Sequence, residues 1–369
     1  MIPPQAMISL SLALSIVYLG TSTADTPAGA RGIYQFTFNA ETGAISSLSL
    51  AAKTDNPTFL AHHPSGKYLY AVNETQAFQG QPGGGVSAFA VDAKSGALTL
   101  LNQQPVGGNS PCHLAIDATG RVLVTANYGD GSVSVFPIQP DGKLGPRSDF
   151  HQHTGSGPNP SRQKGPHAHG ITFSPDNRFV LVNDLGMDEI LVYRLDVGKA
   201  RLLPHQPASV RLAPGAGPRH FCFAPEGRHG YAINELDNTV TRFDWDAQKG
   251  VLTPRESVPT LPPDFKSYSK TAELLLHPNG NFLYASNRGH DSIAVYRRDR
   301  KTGSLTWVEH VFTGGSEPRS IALSPDGHWL IAANQCAQTL QLFRIDDQTG
   351  KLTLHGEPVA APSPICVIF

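Results

Sequence analysis

One unit recurs six times along this chain with a fixed internal step: an opening residue, an apolar strand, a Pro, Asp or Gly turn, a second apolar strand, then Asn. Pro57 and Asn73, Pro111 and Asn127, His167 and Asn183, Pro218 and Asn234, Thr271 and Asn287, and Pro318 and Asn334 are each 16 residues apart. Opening residues, with a seventh at Pro364, follow one another at steps of 46 (Pro318 to Pro364) to 56 residues (Pro111 to His167). That period is the length of one four-stranded propeller blade and exceeds most helical repeats.

The turns set the blade count. Six inner turns are read at Pro64-Ser65-Gly66, Thr119-Gly120, Pro175-Asp176-Asn177, Pro225-Glu226-Gly227, Pro278-Asn279-Gly280 and Pro325-Asp326-Gly327. Pro presets one turn dihedral there, and Gly or Asn tolerates the left-handed one. Seven outer turns carry Asn or Asp ahead of Gly: Asn39 to Gly43, Asp92 to Gly96, Asp141-Gly142, Asp196 to Gly198, Asp246 to Gly250, Asp299 to Gly303 and Asp347 to Gly350. The missing inner turn falls where the two chain ends meet. Pro364 to Phe369 reads as an innermost strand, and Ile16 to Gly20 as its neighbour. The prediction is an all-β, seven-bladed propeller of four-stranded antiparallel blades, the last closed by both termini so that no sheet edge is left open. Short β-branched and aromatic runs such as Val86 to Val91 and Val133 to Phe136 agree with this. With 36 Gly and 30 Pro in 369 residues, the chain is punctuated too often for long helices. One propeller domain, residues 16–369, is expected where length alone would suggest two or three.

A net charge of −1 and a pI near 6.9 provide no global field for nucleic acid or anionic lipid, so neither is expected as a partner. The cation run Arg297-Arg298-Asp299-Arg300-Lys301 falls at an outer turn and reads as solvated rim. The cysteines Cys112, Cys222, Cys336 and Cys366 lack CxxC spacing and read as free thiols. Residues 1–15 read as a signal or disordered segment. The apolar run Met7 to Leu14 is too short to span a membrane and no cation precedes it, the first being Arg31. The expected location is cytoplasmic, with periplasm or secretion as the alternative if that run is a cleaved signal; a cut after Ser15 would preserve the Ile16 strand. Oligomeric state is not readable.

Within each unit the first strand leaves the opening residue and the second returns to Asn, so both ends lie on one face of the disc, around the channel mouth. Two positions after the opening residue come Phe59, His113, His169, His220, Glu273, Ser320 and Cys366. One position after it come Arg219 and Arg319 among others, and after each Asn come Glu74, Tyr128, Asp184, Glu235, Arg288 and Gln335. Imidazoles, carboxylates and guanidinia from separate blades thus converge, which is the pattern of a small-molecule site. The linkers 151–166, with Arg162 and Lys164, and 259–270, with Lys266 and Lys270, enter on this face and supply cations for an anionic substrate. Each residue also has a structural reading. The repeated Asn closes strand ends through backbone hydrogen bonds, His167 stands in a slot that is Pro elsewhere, and Cys366 lines the channel. Three imidazoles (His113, His169, His220) and Glu273 at matching positions raise a metal site, but the inner strands diverge at a seven-bladed mouth, and no metal or other cofactor is expected.

At these residues the chain resembles the lactonase family of seven-bladed propellers, which includes the bacterial propeller-type 6-phosphogluconolactonases and the fungal carboxymuconate lactonising enzyme. The matching stretches are Tyr18-Leu19-Gly20-Thr21 with Gly32-Ile33-Tyr34, Gly157 to Gln163 running into Gly165-Pro166-His167-Ala168-His169, Gly217-Pro218-Arg219-His220, Asn234-Glu235-Leu236, Ala272-Glu273, and Ser286 to Ile293. Thr21-Ser22-Thr23 departs from the family's usual Thr-Tyr-Thr. The resemblance implies catalytic residues at His169, Arg219, Glu235 and Arg288, in the ring the repeat selects.

Lactone hydrolysis needs a base to activate water and cationic donors for the oxyanion. The expected assignment is Glu235 or His169 as base, Arg219 and Arg288 holding the substrate anion and the oxyanion, and His220 orienting or relaying a proton. His113, His167, His220, Glu273, Arg162, Lys164, Lys266 and Lys270 are the expected substrate contacts. Those cations favour 6-phosphoglucono-1,5-lactone over a neutral sugar lactone. A cycloisomerase acting on a carboxymuconate-type dicarboxylate and a non-enzymatic binding platform are the alternatives.

Overall fold

The computed structural model describes residues 14–24 and 29–369; the run Met7 to Ala13 of the N-terminal expectation lies outside them. Seven four-stranded antiparallel sheets follow one another around a ring. Six are built in chain order, from inner to outer strand. The seventh runs Pro364–Ile368, Leu14–Thr21, Gly32–Asn39, Ser49–Lys53, so the last strand of the chain pairs with the first. Both termini close the ring.

Seven apolar cores, one between each pair of neighbouring blades, hold the ring together. Each blade is therefore covered on both faces, and in the second to sixth blades the second strand is buried throughout, as in Val122–Asn127 and Trp329–Asn334. That is why these strands read as near-continuous apolar runs rather than as alternating ones. The closing interface packs Tyr18, Ile33 and Cys366 of the seventh blade against Leu60, Leu69 and Phe89 of the first.

A hydrogen bond from an aromatic side chain to the next blade's outer turn recurs around the ring. Tyr18, Tyr70, Tyr231 and Tyr284 donate their hydroxyls to the carbonyls of Gly96, Gly142, Gly303 and Gly350, and Trp329 Nε1 donates to Ala40 O. The phenol is thereby satisfied inside an apolar interface. The outer-turn glycine sits beneath the aromatics: Gly350 has φ +74°, and a Cβ there would lie 2.4 Å from the Phe282 ring. Two outer turns differ from their sequence reading. Asp346, not Asp347, caps the last one, accepting from Gln348 and Thr349. In the third blade Ala200, at φ 47°, takes the left-handed position in place of Gly198.

The third blade also corrects the repeat frame. Pro218 pairs with Asn234 and His220 with Ile233, whereas in the third blade Ala168 pairs with Asp184 and Gly170 with Asn183. The Leu185 N–H donates to His167 O as the Glu235 N–H does to Gly217 O. The third unit therefore runs Ala168 to Asp184, one residue later than His167 to Asn183, and keeps the 16-residue step. Asp184 does the work of Asn there, accepting from His167 N and Gly186 N. Elsewhere the Asn amides bind third-strand hydroxyls, as Asn127 does with Ser132 and Ser134, as well as the backbone carbonyls expected, such as that of Asp55 for Asn73.

Candidate active site

The frame correction decides which side chains meet. His169 follows the opening residue Ala168 by one place, the slot of Cys112, Arg219 and Arg319, not the slot of His113 and His220. The four-residue metal set therefore loses its matching register. Among the described residues no group of three or more His, Cys, Asp or Glu is placed to hold a metal ion.

A cavity of about 220 Å³ opens at the channel mouth. The slot one past the opening residue contributes Cys112, His169 and Arg319; the slot after Asn contributes Glu74, Tyr128, Glu235 and Arg288; Arg162 and Lys270 reach in from the linkers. Directly beneath lies a chamber of about 10 Å³ that shares Glu74, Cys112 and Arg319 with it and adds Thr58, Arg219, His220 and Glu273. The single ring expected at the mouth thus divides into two layers, with His220 and Glu273 of the slot two past the opening residue facing the lower one.

Glu235 is the centre of the upper layer. Its carboxylate contacts Arg162 Nη2 at 2.7 Å, Arg288 Nη2 at 2.8 Å and Arg219 Nε at 3.2 Å. Arg219 and Arg288 are further fixed to the carbonyls of Ala272 (2.5 Å) and Thr271 (2.6 Å). Burial works to raise the Glu235 carboxyl, but the guanidinia of Arg288, Arg219 and Arg162 outweigh it and hold it well below the usual carboxylate range. Burial, Arg288 and Arg319 together push Arg219 down to about 10. Arg162 is brought in by its linker, which is latched where Gln163 Nε2 donates to Asp188 Oδ1 (2.6 Å) and Leu185 O (2.8 Å), and its Nη2 also donates to Tyr128 OH.

Burial lowers His169 well below its ordinary value, with Arg219 and His220 adding to the effect, so its imidazole is neutral. Its Nδ1 lies 3.8 Å from Cys112 Sγ. Burial also raises the Cys112 thiol far above its usual range, which keeps it protonated. The Arg319 side chain makes no hydrogen bond or salt bridge among the described residues, and its Nε is buried. Lys270 faces Glu317 at 3.8 Å.

The other sequence-expected contacts separate clearly. His220 Nδ1 donates to Glu273 Oε1 at 2.8 Å in the lower layer. His113 is packed between Phe59 (3.9 Å between centroids) and His220 (4.8 Å) and lines neither space. His167 stacks on Tyr128 at 4.5 Å and binds its carbonyl, supporting the wall from behind. Lys164 and Lys266 are exposed and do not line the cavity, and Lys266 Nζ donates to Pro263 O. Both stand on linkers, whose path the sequence does not fix. Glu74, Tyr128, Cys112 and Arg319 are the lining residues missing from the expected contacts, although the same slot rule that picked Glu235 and Arg219 would have found them. The four cysteines are free thiols.

The matching sequence family is described as Lactonase, 7-bladed beta-propeller, and it covers residues 16–369. A protein of Bacillus subtilis (strain 168) named 6-phosphogluconolactonase is 39% identical over 352 residues, 95% of this chain and 98% of that one. One of the same name from Formosa agariphila is 36% identical, over 82% of this chain and 85% of the relative. Among solved structures, the periplasmic gluconolactonase of Pseudomonas aeruginosa superposes with a TM-score of 0.90 at 31% identity, covering 96% of this chain and 98% of its own. The chain belongs to the lactonase family of seven-bladed β-propellers.

Proposed function

We propose that this protein hydrolyses a sugar lactone, and that its substrate is 6-phosphoglucono-1,5-lactone, converted to 6-phosphogluconate. The observation that carries this reading is the charge of the cavity: Arg162, Lys270, Arg288 and Arg319 line it against two carboxylates, one of which is already shared by three guanidinia. A dianionic phosphate offsets such a surplus, and a neutral sugar does not. The Bacillus subtilis and Formosa agariphila relatives carry the corresponding name.

The outer rim, Arg162 and Lys270, is the phosphate end, because those two side chains are partly exposed, 29% and 26%, and line the upper cavity alone, whereas Arg288 is buried and Arg319 also lines the chamber below. The lactone carbonyl then sits deeper, facing Arg288 and Arg319. As water adds to it, the carbonyl oxygen becomes an oxyanion, and fixed guanidinium donors stabilise that charge more than the ground-state dipole. Glu235 keeps Arg162, Arg219 and Arg288 aimed before substrate arrives. It is a poor proton acceptor, since protonating it would leave three guanidinia uncompensated. The neutral His169 faces the lactone as a hydrogen-bonding wall. Location follows no feature of the described residues; no helix among them is long and apolar enough to cross a membrane.

The Pseudomonas aeruginosa relative is named a gluconolactonase, which favours the unphosphorylated sugar lactone as the second reading. The ratio of kcat/KM for the phosphorylated over the plain lactone tests the choice, in the native protein and in Lys270→Gln. A native ratio of about 10²–10³ that falls roughly tenfold in the variant is expected from one lost phosphate contact. A native ratio near one would move the assignment to the plain lactone.

A further inference from the structure

Glu74 borders both spaces at the channel mouth. It lines the substrate cavity and the chamber below it, a space of about 10 Å³ whose walls include Thr58, Arg219, His220, Glu273 and Arg319. A polar space of that size accommodates one water. The Thr58 hydroxyl donates to Glu74 Oε2 at 2.5 Å, and no other hydrogen bond or salt bridge to the Glu74 side chain occurs among the described residues. The other acidic groups here are committed. Glu235 is held by three arginines, Glu273 is held by His220, and the Cys112 thiol is protonated.

Resting on the lactone-hydrolase reading, we propose that Glu74 is the general base of the reaction and that the lower chamber holds the water it activates. The water oxygen bonds to the lactone carbonyl carbon while one of its protons passes to Glu74. The carbonyl π pair moves onto oxygen, opposite Arg288 and Arg319. When the carbonyl re-forms, the bond from that carbon to the ring oxygen breaks, and the ring oxygen takes the proton back from Glu74. One water is consumed, and the product is the open hydroxy acid, which ionises.

The electrostatics agree. Burial raises the Glu74 carboxyl, and Arg319, Thr58 and Arg219 offset that only in part, so its basicity moves toward neutral pH, where a base works best. The charged and titratable groups facing it are Arg219, Arg319, Cys112, His220 and Glu273 from the chamber, and Tyr128, Arg162, His169, Glu235, Lys270 and Arg288 from the cavity above.

The test uses 6-phosphoglucono-1,5-lactone, with rates taken above spontaneous hydrolysis, on the native protein, Glu74→Gln and Thr58→Val. Glu74→Gln is expected to lose about 10²–10⁴-fold in kcat with KM changed less than about threefold. Thr58→Val removes a hydrogen bond that favours the ionised carboxylate, so the acid limb of kcat/KM is expected to move up by roughly 0.5–1 pH unit, which a purely structural role would not produce. A folded Glu74→Gln with native kcat, or a Thr58→Val acid limb that does not move, overturns the assignment. If Glu74→Gln does not fold, the Thr58→Val profile decides alone. A native protein that accelerates neither this lactone nor glucono-1,5-lactone fails the lactone-hydrolase reading itself, whereas an active native protein with an active Glu74→Gln fails only the base.

Discussion

Glu74 on the first blade and Glu235 on the fourth occupy the same slot of the repeat, the residue after Asn, and both line one cavity. Their surroundings make them opposites. Glu235 has three guanidinia on its carboxylate and is held far below the usual carboxylate range; Glu74 has one threonine hydroxyl and is raised by burial. The slot fixes where a side chain points, because the blade geometry repeats. What arrives from the neighbouring blades and linkers fixes its chemistry: Arg219 from its own blade, Arg288 from the next and Arg162 from a linker are ion-paired to Glu235, and none of these makes a hydrogen bond or salt bridge to Glu74.

The largest test of that contrast is removal of each charge in place. Glu235→Gln leaves buried guanidinia without their counter-charge and is expected to cost about 3–5 kcal/mol in urea denaturation, together with most of the activity. Glu74→Gln keeps an acceptor for Thr58 and is expected to change stability by less than about 1 kcal/mol. Equal losses in the two variants would break the comparison.

Next is Arg319→Gln, which removes a guanidinium that makes no side-chain hydrogen bond or salt bridge among the described residues and that the proposed reaction sets against the oxyanion. A fall of about 10²–10³-fold in kcat is expected from steady-state rates, with KM little changed. A change confined to KM would mean that Arg319 binds the phosphate instead.

The pH dependence of stability sharpens the comparison further. Glu235 has a depressed folded-state value, so its contribution is present above the unfolded value of 4.5 and is lost only as pH falls through the depressed one, in strong acid. Glu74 has a raised one, so its contribution is present below 4.5 and is lost as pH rises through the raised value. Denaturation midpoints of native, Glu74→Gln and Glu235→Gln protein across pH 4–8 should therefore show the Glu235 difference flat above pH 5, and the Glu74 difference drifting against the native protein as pH rises. A drift of the same sign for both would contradict the assignment.

The smallest effect is expected from Lys164→Ala and Lys266→Ala. Both side chains lie outside the cavity, so KM for the phosphorylated lactone should stay within about twofold of native. A clear rise in KM would place a linker differently from the structure.

These outcomes also mark what the sequence could carry. The 16-residue step and the turns were enough for the ring, its seven blades and its closure by both ends, because each blade buries both faces and must repeat its apolar strands. The same step placed Glu235, Arg219 and Arg288 together. It misplaced His169 by one slot, since His167 looked like an opening residue and Asn183 like its return, while Ala168 and Asp184 hold those places. It also could not show that Trp329 and four tyrosines bind the next blade's outer turn, because those partners lie far apart in sequence, 66 residues or more for the tyrosines. The linkers were least legible. They have no repeat to fix their path, so Arg162 and Lys270 reach the cavity and Lys164 and Lys266 do not.

The most direct test of the whole account is turnover of freshly prepared 6-phosphoglucono-1,5-lactone by the native protein, read against spontaneous hydrolysis and repeated with chelator. The account predicts rapid hydrolysis, insensitive to chelator, from arginines and a carboxylate alone. No acceleration over the spontaneous rate, or activity abolished by chelator and restored by metal, would contradict it.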